Sequence, residues 1–321
     1  MPPAPPLADP IDAVLALDLG RRGIASFFSP GAAVAAARAL AGAERVVIVT
    51  GFSVPPGTPE TDGPPGAAVL GRALRLLGAR VCYVTDLAPA MPLAAALETL
   101  EEPSKVDVYP DGPDAARIVL DRERPTHLVA IERPGRSRSG DYLSARGESI
   151  ARWNRPLDDL FVLARAKGIN HRRGSHKRKR SDSTNAAAPH RQQATFGRAG
   201  LTAPVTVAVG DGGNEIGMGN VRARLARGGR LMARIASVVP VDHLVVAGTS
   251  NWGAYGVVAA LERLTGRPLL HTGAVERRLI QACVGAGAID GIARTREATV
   301  DGLAAEVHAA IVELLRAAAG R

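Results

Sequence analysis

The chain has little aromatic character and little cysteine. Phe, Trp and Tyr make up only 3% of its 321 residues. Its core must therefore be built from Ala, Val, Leu and Ile, and stacking platforms for single-stranded nucleic acid are not expected. Its two cysteines, Cys82 and Cys283, exclude a disulfide framework and a cysteine-based zinc site. Each reads as a small buried apolar residue in a reducing compartment. No apolar run approaches the ~20 residues of a membrane span. The opening MPPAPPLADP has neither the basic nor the apolar region of a signal peptide. The cytoplasm is the expected location, and a membrane is not an expected partner. The seven histidines include no HExxH or comparable metal spacing, and no GxSxG nucleophile motif occurs. His271, in LLHTG after a candidate strand, is the histidine best placed for a role.

What is present describes a folded enzyme-sized chain. A composition of 46% hydrophobic and 22% charged residues excludes wholesale disorder. The formal charge of +9 is concentrated in residues 171–200, where eight Lys and Arg face only Asp182. That segment accounts for seven of the nine charges and leaves the rest nearly balanced. Nucleic acid is therefore not expected as a partner of the folded body. Residues 170–203 lack helical or strand periodicity and read as a disordered basic insertion. An arm for polyanions is the alternative, since basic runs bind phosphate without sequence preference. Nothing in the sequence fixes the oligomeric state, and a homo-oligomer is compatible with it.

Around that insertion, apolar strands alternate with amphipathic helices. Strands are expected at Arg45–Thr50, Arg80–Thr85, Lys105–Tyr109, His127–Glu132, Val205–Val209 and His243–Ala247. Helices are expected at Ile11–Leu19, Pro30–Ala41, from Pro65 to Leu77, and at Met91–Leu100, Pro113–Arg122, Leu157–Lys167, Tyr255–Leu264 and about Val300–Ala319. Continuous apolar strands are buried on both faces. The pattern predicts a single α/β domain over residues 1–321 with a mainly parallel, Rossmann-like sheet and helices on both faces. Such sheets place ligands beyond the carboxyl ends of their strands.

Four loops on that edge concentrate polar residues. Gly51–Pro65 carries Glu60, Thr61 and Asp62 between Pro and Gly residues, directly before a helix. Thr61 or Asp62 could cap that helix, or the carboxylates could hold an amine or a metal. Glu132–Gly147 offers Glu132 and four arginines, of which Arg133 lies immediately at the strand's end and suits a carboxylate. Gly248–Gly256 presents Ser250 and Asn251, either as caps or as donors to the same cleft.

The most informative loop is Val207–Asn220, VAVGDGGNEIGMGN. Reading GxGxxG from Gly210 puts Glu215 at the third glycine, and reading a P-loop from Gly212 puts Met218 where lysine belongs. Neither common phosphate loop fits. The glycines need another reason, such as a nest of backbone N–H groups for an anion. Asp211, Asn214 and Glu215 crowd that turn with side chains suited to proton transfer and hydrogen bonding.

The segments RGI (Arg22–Ile24), Thr50–Ala67, AIERPGR (Ala130–Arg136), RGE (Arg146–Glu148) and PLDDLF (Pro156–Phe161) precede GDGGNEIGMGN (Gly210–Asn220). They are followed by NWGAYG (Asn251–Gly256) and ERRLIQACVGAGAIDG (Glu276–Gly291). Through these stretches, in order along nearly the whole chain, the sequence resembles the catalytic-type C-terminal domain of the D-glutamate cyclase family. The resemblance implies a hydro-lyase that dehydrates D-glutamate to 5-oxo-D-proline by intramolecular lactam formation. Some family members carry a further domain on the N-terminal side that is not expected here.

For that reaction, the amides of Gly212 and Gly213 with Asn214 are expected to bind the γ-carboxyl, and Arg133 the α-carboxylate. Asp211 or Glu215 would move protons, while Glu60 and Asp62 orient the ammonium. No cofactor is required by the sequence. A divalent metal, Mg²⁺ or Mn²⁺, would find ligands in Asp211, Glu215, Glu60 and Asp62. Two alternatives are a metal-dependent enzyme acting on another small amino or hydroxy acid, and a non-catalytic ligand-binding protein with a basic arm.

Overall fold

The computed structural model describes residues 9–166 and 203–320. The basic segment 170–203, apart from Ala203, lies outside the described residues.

Six strands form one parallel sheet: β1 (Arg45–Thr50), β2 (Arg80–Thr85), β3 (Val106–Val108), β4 (His127–Ile131), β5 (Val205–Gly210) and β6 (His243–Val246). Their spatial order is β3-β2-β1-β4-β5-β6, and every adjacent pair is parallel. This is a Rossmann-like α/β arrangement. Strand alternation divides the apolar side chains between two cores. Val46 and Ile48 of β1, Val129 and Ile131 of β4, and Val207 and Val209 of β5 pack against the helices Ala32–Leu40, Pro64–Leu76, Ser250–Thr265 and Ala305–Ala318. Val47, Val49, Leu128, Ala130 and Ala208 face the opposite way, onto the helix Ala115–Glu123 and the Leu157–Ala164 segment. Burial on both faces is why these strands read as continuous apolar runs.

The helix expected from Met91 starts at Leu87 and takes Pro92 inside it. The one expected from Tyr255 starts at Ser250, because Thr249 caps it by accepting from the Trp252 amide at 3.3 Å. The last helix begins at Ala305 rather than near Val300. Thr299–Val300 instead pairs antiparallel with Leu303–Ala304. Helix Gly273–Gly285 was not foreseen, and the candidate strand before His271 is not formed. No helix among the described residues is long and apolar enough to cross a membrane.

The order of strands fixes where a site can be. From β1 the chain steps outward to β2 on one side, and β4 then joins β1 on the other. The loops leaving β1 and β4 diverge there, and such a switch point opens a crevice. Thr50 pairs with Ile131, Ile131 with Val209, and Gly210 with Val246. The segments that follow these residues emerge side by side.

Candidate active site

The loop after β1 runs Gly51–Gly63 and ends in a short exchange between two helices. The Asp62 carboxylate accepts the Ser250 and Asn251 amides, each at 2.9 Å, at the N-terminus of helix Ser250–Thr265. In return the Asn251 carboxamide oxygen accepts the Gly63 and Gly66 amides at 3.1 and 2.8 Å, at the start of helix Pro64–Leu76. Gly63 makes this turn at φ 102°, a conformation that L side chains rarely adopt. Thr61 is fully buried and donates to the Thr299 carbonyl at 2.8 Å.

After β4, Glu132 adopts φ 42°, costly for a non-glycine residue and commonest where a site over-determines the backbone. The twist carries its carboxylate to the Ser250 hydroxyl, which donates at 2.6 Å. Arg133 leaves in another direction. Its guanidinium donates to the Gly51 carbonyl at 2.8 Å, to Asp86 at 2.6 Å and to the Arg155 carbonyl at 2.7 Å. It is completely buried and ties the β1, β2 and β4 loops together.

After β5, the glycine-rich turn is an anion nest occupied by its own chain. Glu215 accepts from the amides of Gly212 at 2.6 Å, Gly213 at 2.8 Å and Asp211 at 3.3 Å. The Gly212 and Gly213 amides expected to face a substrate carboxyl are therefore already engaged. Asn214 donates to the Leu143 carbonyl at 2.7 Å. Asp211 is fully buried and bonds to Arg22, whose other nitrogen reaches Asp301 at 2.6 Å. Arg22 is held by Asp18, which accepts the Arg22 and Gly23 amides at 2.6 and 2.7 Å.

The chain's C-terminal third closes the site. Asp290 accepts the amides of Ile292, Ala293 and Gly302 at 2.6–2.8 Å. It thereby folds the 290–302 loop against the β1 loop, where Thr61 donates to the Ile289 carbonyl at 2.9 Å. Gly291 lies so close to Glu60 that a Cβ there would sit 2.0 Å from Oε2. Asp301 also adopts a left-handed φ, 55°.

These pieces surround a pocket open to solvent, with about 470 Å³ of empty space when the solvent at its mouth is included. Glu60, Glu132, Gly212, Asn214, Glu215 and Asp301 line it together with Arg22, Arg146 and Arg294. Asp62 and Asp211 are not on its wall, yet one oxygen from each lies within 4.8 Å of one from Glu132.

Carboxyls outnumber guanidiniums here: Glu60, Asp62, Glu132, Asp211, Glu215 and Asp301 are all buried, Arg22 is ion-paired with Asp211 and Asp301, and Arg146 and Arg294 lie on the cavity lining. Desolvation pushes the Glu60 carboxyl well above its ordinary range, and Asp301 and Asp62 add to the shift. Asp62 is pushed up to about 8 by burial and by Asp301, against the pull of its two helix amides. Burial likewise raises Glu132 and Asp211, the latter despite Arg22. Burial alone would favour loss of the Arg22 proton, but Asp211 and Asp301 outweigh it and hold the guanidinium charged. Close carboxyls in low dielectric cannot all be ionised unless cations join them.

Residues 11–172 and 179–316 match the family model described as D-glutamate cyclase-like, C-terminal. The chain belongs to the D-glutamate cyclase-like family. It is 31% identical over 294 residues to the human protein named D-glutamate cyclase, mitochondrial, an alignment covering 86% of this chain and 41% of that relative. The chain thus spans about two-fifths of the length of the curated relative it matches.

Within this D-glutamate cyclase-like chain, the expected site residues fall into three groups. Glu60, Gly212, Asn214 and Glu215 reach the cavity. Asp62 and Asp211 do not line it; Ser250 and Asn251 donate to Asp62, Ser250 also donates to Glu132, and Asp211 is held by Arg22. Thr61, Gly213 and Arg133 do not line it and have internal partners. His271 bonds to Glu276 at 2.8 Å in a buried pair that also receives the Tyr255 hydroxyl.

Arg22, Asp301, Arg294 and the placement of Glu132 on the cavity lining were not singled out by sequence. Arg22 sits in the RGI stretch and Glu132 in AIERPGR, so both carried a trace of signal. Asp301, in a polar turn, carried none.

Proposed function

We propose that the cavity closes an α-amino dicarboxylic acid on itself, converting D-glutamate to 5-oxo-D-proline with loss of water. The observation that carries this reading is an unmatched donor and an unmatched acceptor on two residues that line the cavity. Arg294 Nε and Asp301 Oδ2 are both buried without a hydrogen-bond partner among the described residues. A ligand bearing both a carboxylate and an ammonium satisfies the two together, whereas a ligand of one sign leaves one of them orphaned. Membership in the D-glutamate cyclase-like family selects glutamate from the ligands with that pattern, and the human relative's name supplies the D configuration.

The reaction forms a bond between the α-nitrogen and the side-chain carboxyl carbon and breaks one of that carbon's bonds to oxygen. The nitrogen gives up two protons, and the departing oxygen takes both and leaves as water. The enzyme therefore needs a proton carrier that ends as it began. Glu60 lies on the cavity wall against Gly291 and serves as that carrier, with Asp301 facing the ammonium. Arg294 and Arg146 receive the carboxylates and draw off the negative charge that develops during attack. Holding the extended substrate curled on itself removes much of the remaining entropic barrier.

The proposal is tested by steady-state kinetics on D-glutamate. Glu60→Gln should lower kcat by about 10²-fold or more. Arg294→Gln should act mainly on KM. A Glu60→Gln enzyme with unchanged kcat would contradict the proton-carrying role.

A further inference from the structure

We infer that Asp290 is a positioning residue whose carboxylate sets Arg294 and Asp301 to receive the carboxylate and the ammonium of one substrate. These two residues carry the unmatched donor and acceptor of the pocket. Both have a left-handed backbone, φ 60° for Arg294 and 55° for Asp301. Non-glycine residues keep that conformation only where their surroundings impose it. Asp290 supplies the constraint at both places. Its Oδ1 accepts the Ile292 and Ala293 amides at 2.8 and 2.7 Å, and its own carbonyl accepts the Arg294 amide at 2.9 Å. Its Oδ2 accepts the Gly302 amide, directly after Asp301, at 2.6 Å. Asp290 is fully buried and is not among the residues lining the pocket, so it acts through its neighbours.

The hub is itself anchored beside Glu60. The Ile289 amide donates to the Pro59 carbonyl, and the Ile289 carbonyl accepts the Thr61 amide, each at 2.9 Å. These two bonds bracket Glu60, so Glu60, Arg294 and Asp301 are all referred to one short stretch of backbone. The Asp290 amide closes the Arg294 turn by donating to the Thr295 carbonyl at 3.0 Å. Three amides converge on the two Asp290 oxygens, and an asparagine there has only one acceptor oxygen. That oxygen satisfies the Ile292 and Ala293 pair and turns the NH₂ group onto the Gly302 amide. Asp290→Asn therefore frees the Asp301 end and keeps the Arg294 end, whereas Asp290→Ala frees both. The assignment rests on the cyclase reading for the identity of the ligand.

A double-mutant cycle in steady-state kinetics on D-glutamate tests the role in the full-length chain. Asp290→Asn should raise KM by about tenfold, with kcat falling less than KM rises. In an Asp301→Asn background the same substitution should change kcat/KM by less than about twofold, because the group it positions is already gone. A loss of kcat at unchanged KM, or a loss that persists in full in the Asp301→Asn background, would mark Asp290 as merely structural and overturn the assignment. Amide hydrogen exchange of the wild type, followed by NMR, provides a test that needs no variant to fold. The amides of Ile292, Ala293 and Gly302 should be protected by about 10²-fold or more, although the side chains of Ile292 and Ala293 are exposed. Exchange of all three at the rate of an unstructured chain would overturn the assignment. Wild type that leaves D-glutamate unchanged would overturn the cyclase reading and this role with it. Active wild type with unaltered Asp290→Asn kinetics would overturn the positioning role alone.

Discussion

Asp62 and Asn251 cap each other's helices. The carboxylate of Asp62 takes the first amides of helix Ser250–Thr265, and the carboxamide of Asn251 takes the first amides of helix Pro64–Leu76. Two helix N-termini are thus locked together directly behind the cavity. Asn251→Leu removes the acceptor and leaves the Gly63 and Gly66 amides buried and unmatched. We expect a loss of about 1–3 kcal/mol, visible as a lower midpoint in urea denaturation. A change below a few tenths of a kcal/mol would show that the exchange contributes little.

Arg22 bridges Asp211 and Asp301 with its side chain 18% exposed. Arg22→Met leaves both carboxylates facing each other without their guanidinium. Destabilisation of about 3 kcal/mol is expected, the usual result of removing one partner from a buried ion pair. Arg22→Lys should recover only part of this, because one ammonium cannot reproduce a fork that reaches two carboxylates. Equal stability of Arg22→Lys and wild type in urea would contradict the account.

Gly291 lacks the room for even a methyl group beside Glu60. Its own backbone is not left-handed, and the atom a Cβ would strike is the far end of the Glu60 side chain. Gly291→Ala should therefore keep the fold while displacing Glu60. We expect kcat to fall by about tenfold or more with little change in Tm. Retained activity would place Glu60 outside the chemistry.

His308 supplies a pH dependence of its own. Trp252 Nε1 donates to its Nδ1 at 2.8 Å, and its Nε2 faces the Val300 carbonyl at 3.2 Å. The neutral ring is therefore the form that fits. Burial lowers its pKa below 6.5, outweighing the opposite pull of Glu276 and Asp301. The unfolded chain thus takes up the proton first. Stability from this group is fully present above pH 6.5 and is lost as pH falls from there toward the lower folded-state value. In urea titrations, the advantage of wild type over His308→Gln should shrink as pH drops through this range. An advantage that grew on acidification would reverse the sign and refute the assignment.

The sheet was legible because each central strand is an unbroken apolar run. β1 and β2 begin and end where that pattern does. The helix at Ser250 was misplaced by five residues because its caps are Thr249 and, across the molecule, Asp62, and only Thr249 is adjacent in sequence. The GDGGNE turn was read as a nest of amides open to a substrate anion, but the amides of Gly212 and Gly213 are taken by Glu215 from the same turn. Arg133 looked suited to substrate because it follows a strand end, a position that does not say which way the side chain leaves. Arg22 meets Asp211 across 189 residues, and Asp301 arrives from a turn with no distinctive composition. Partnerships of that kind arise from topology, and local patterns do not carry them.

The central claim is that this chain closes D-glutamate into its lactam. Proton NMR of the purified full-length chain with D-glutamate, with and without Mg²⁺ or Mn²⁺, tests it most directly. The account predicts loss of the glutamate resonances and stoichiometric growth of 5-oxoproline, abolished by Glu60→Gln. Folded wild-type protein that leaves D-glutamate unchanged, and forms no glutamate from 5-oxo-D-proline under any of these conditions, would contradict it.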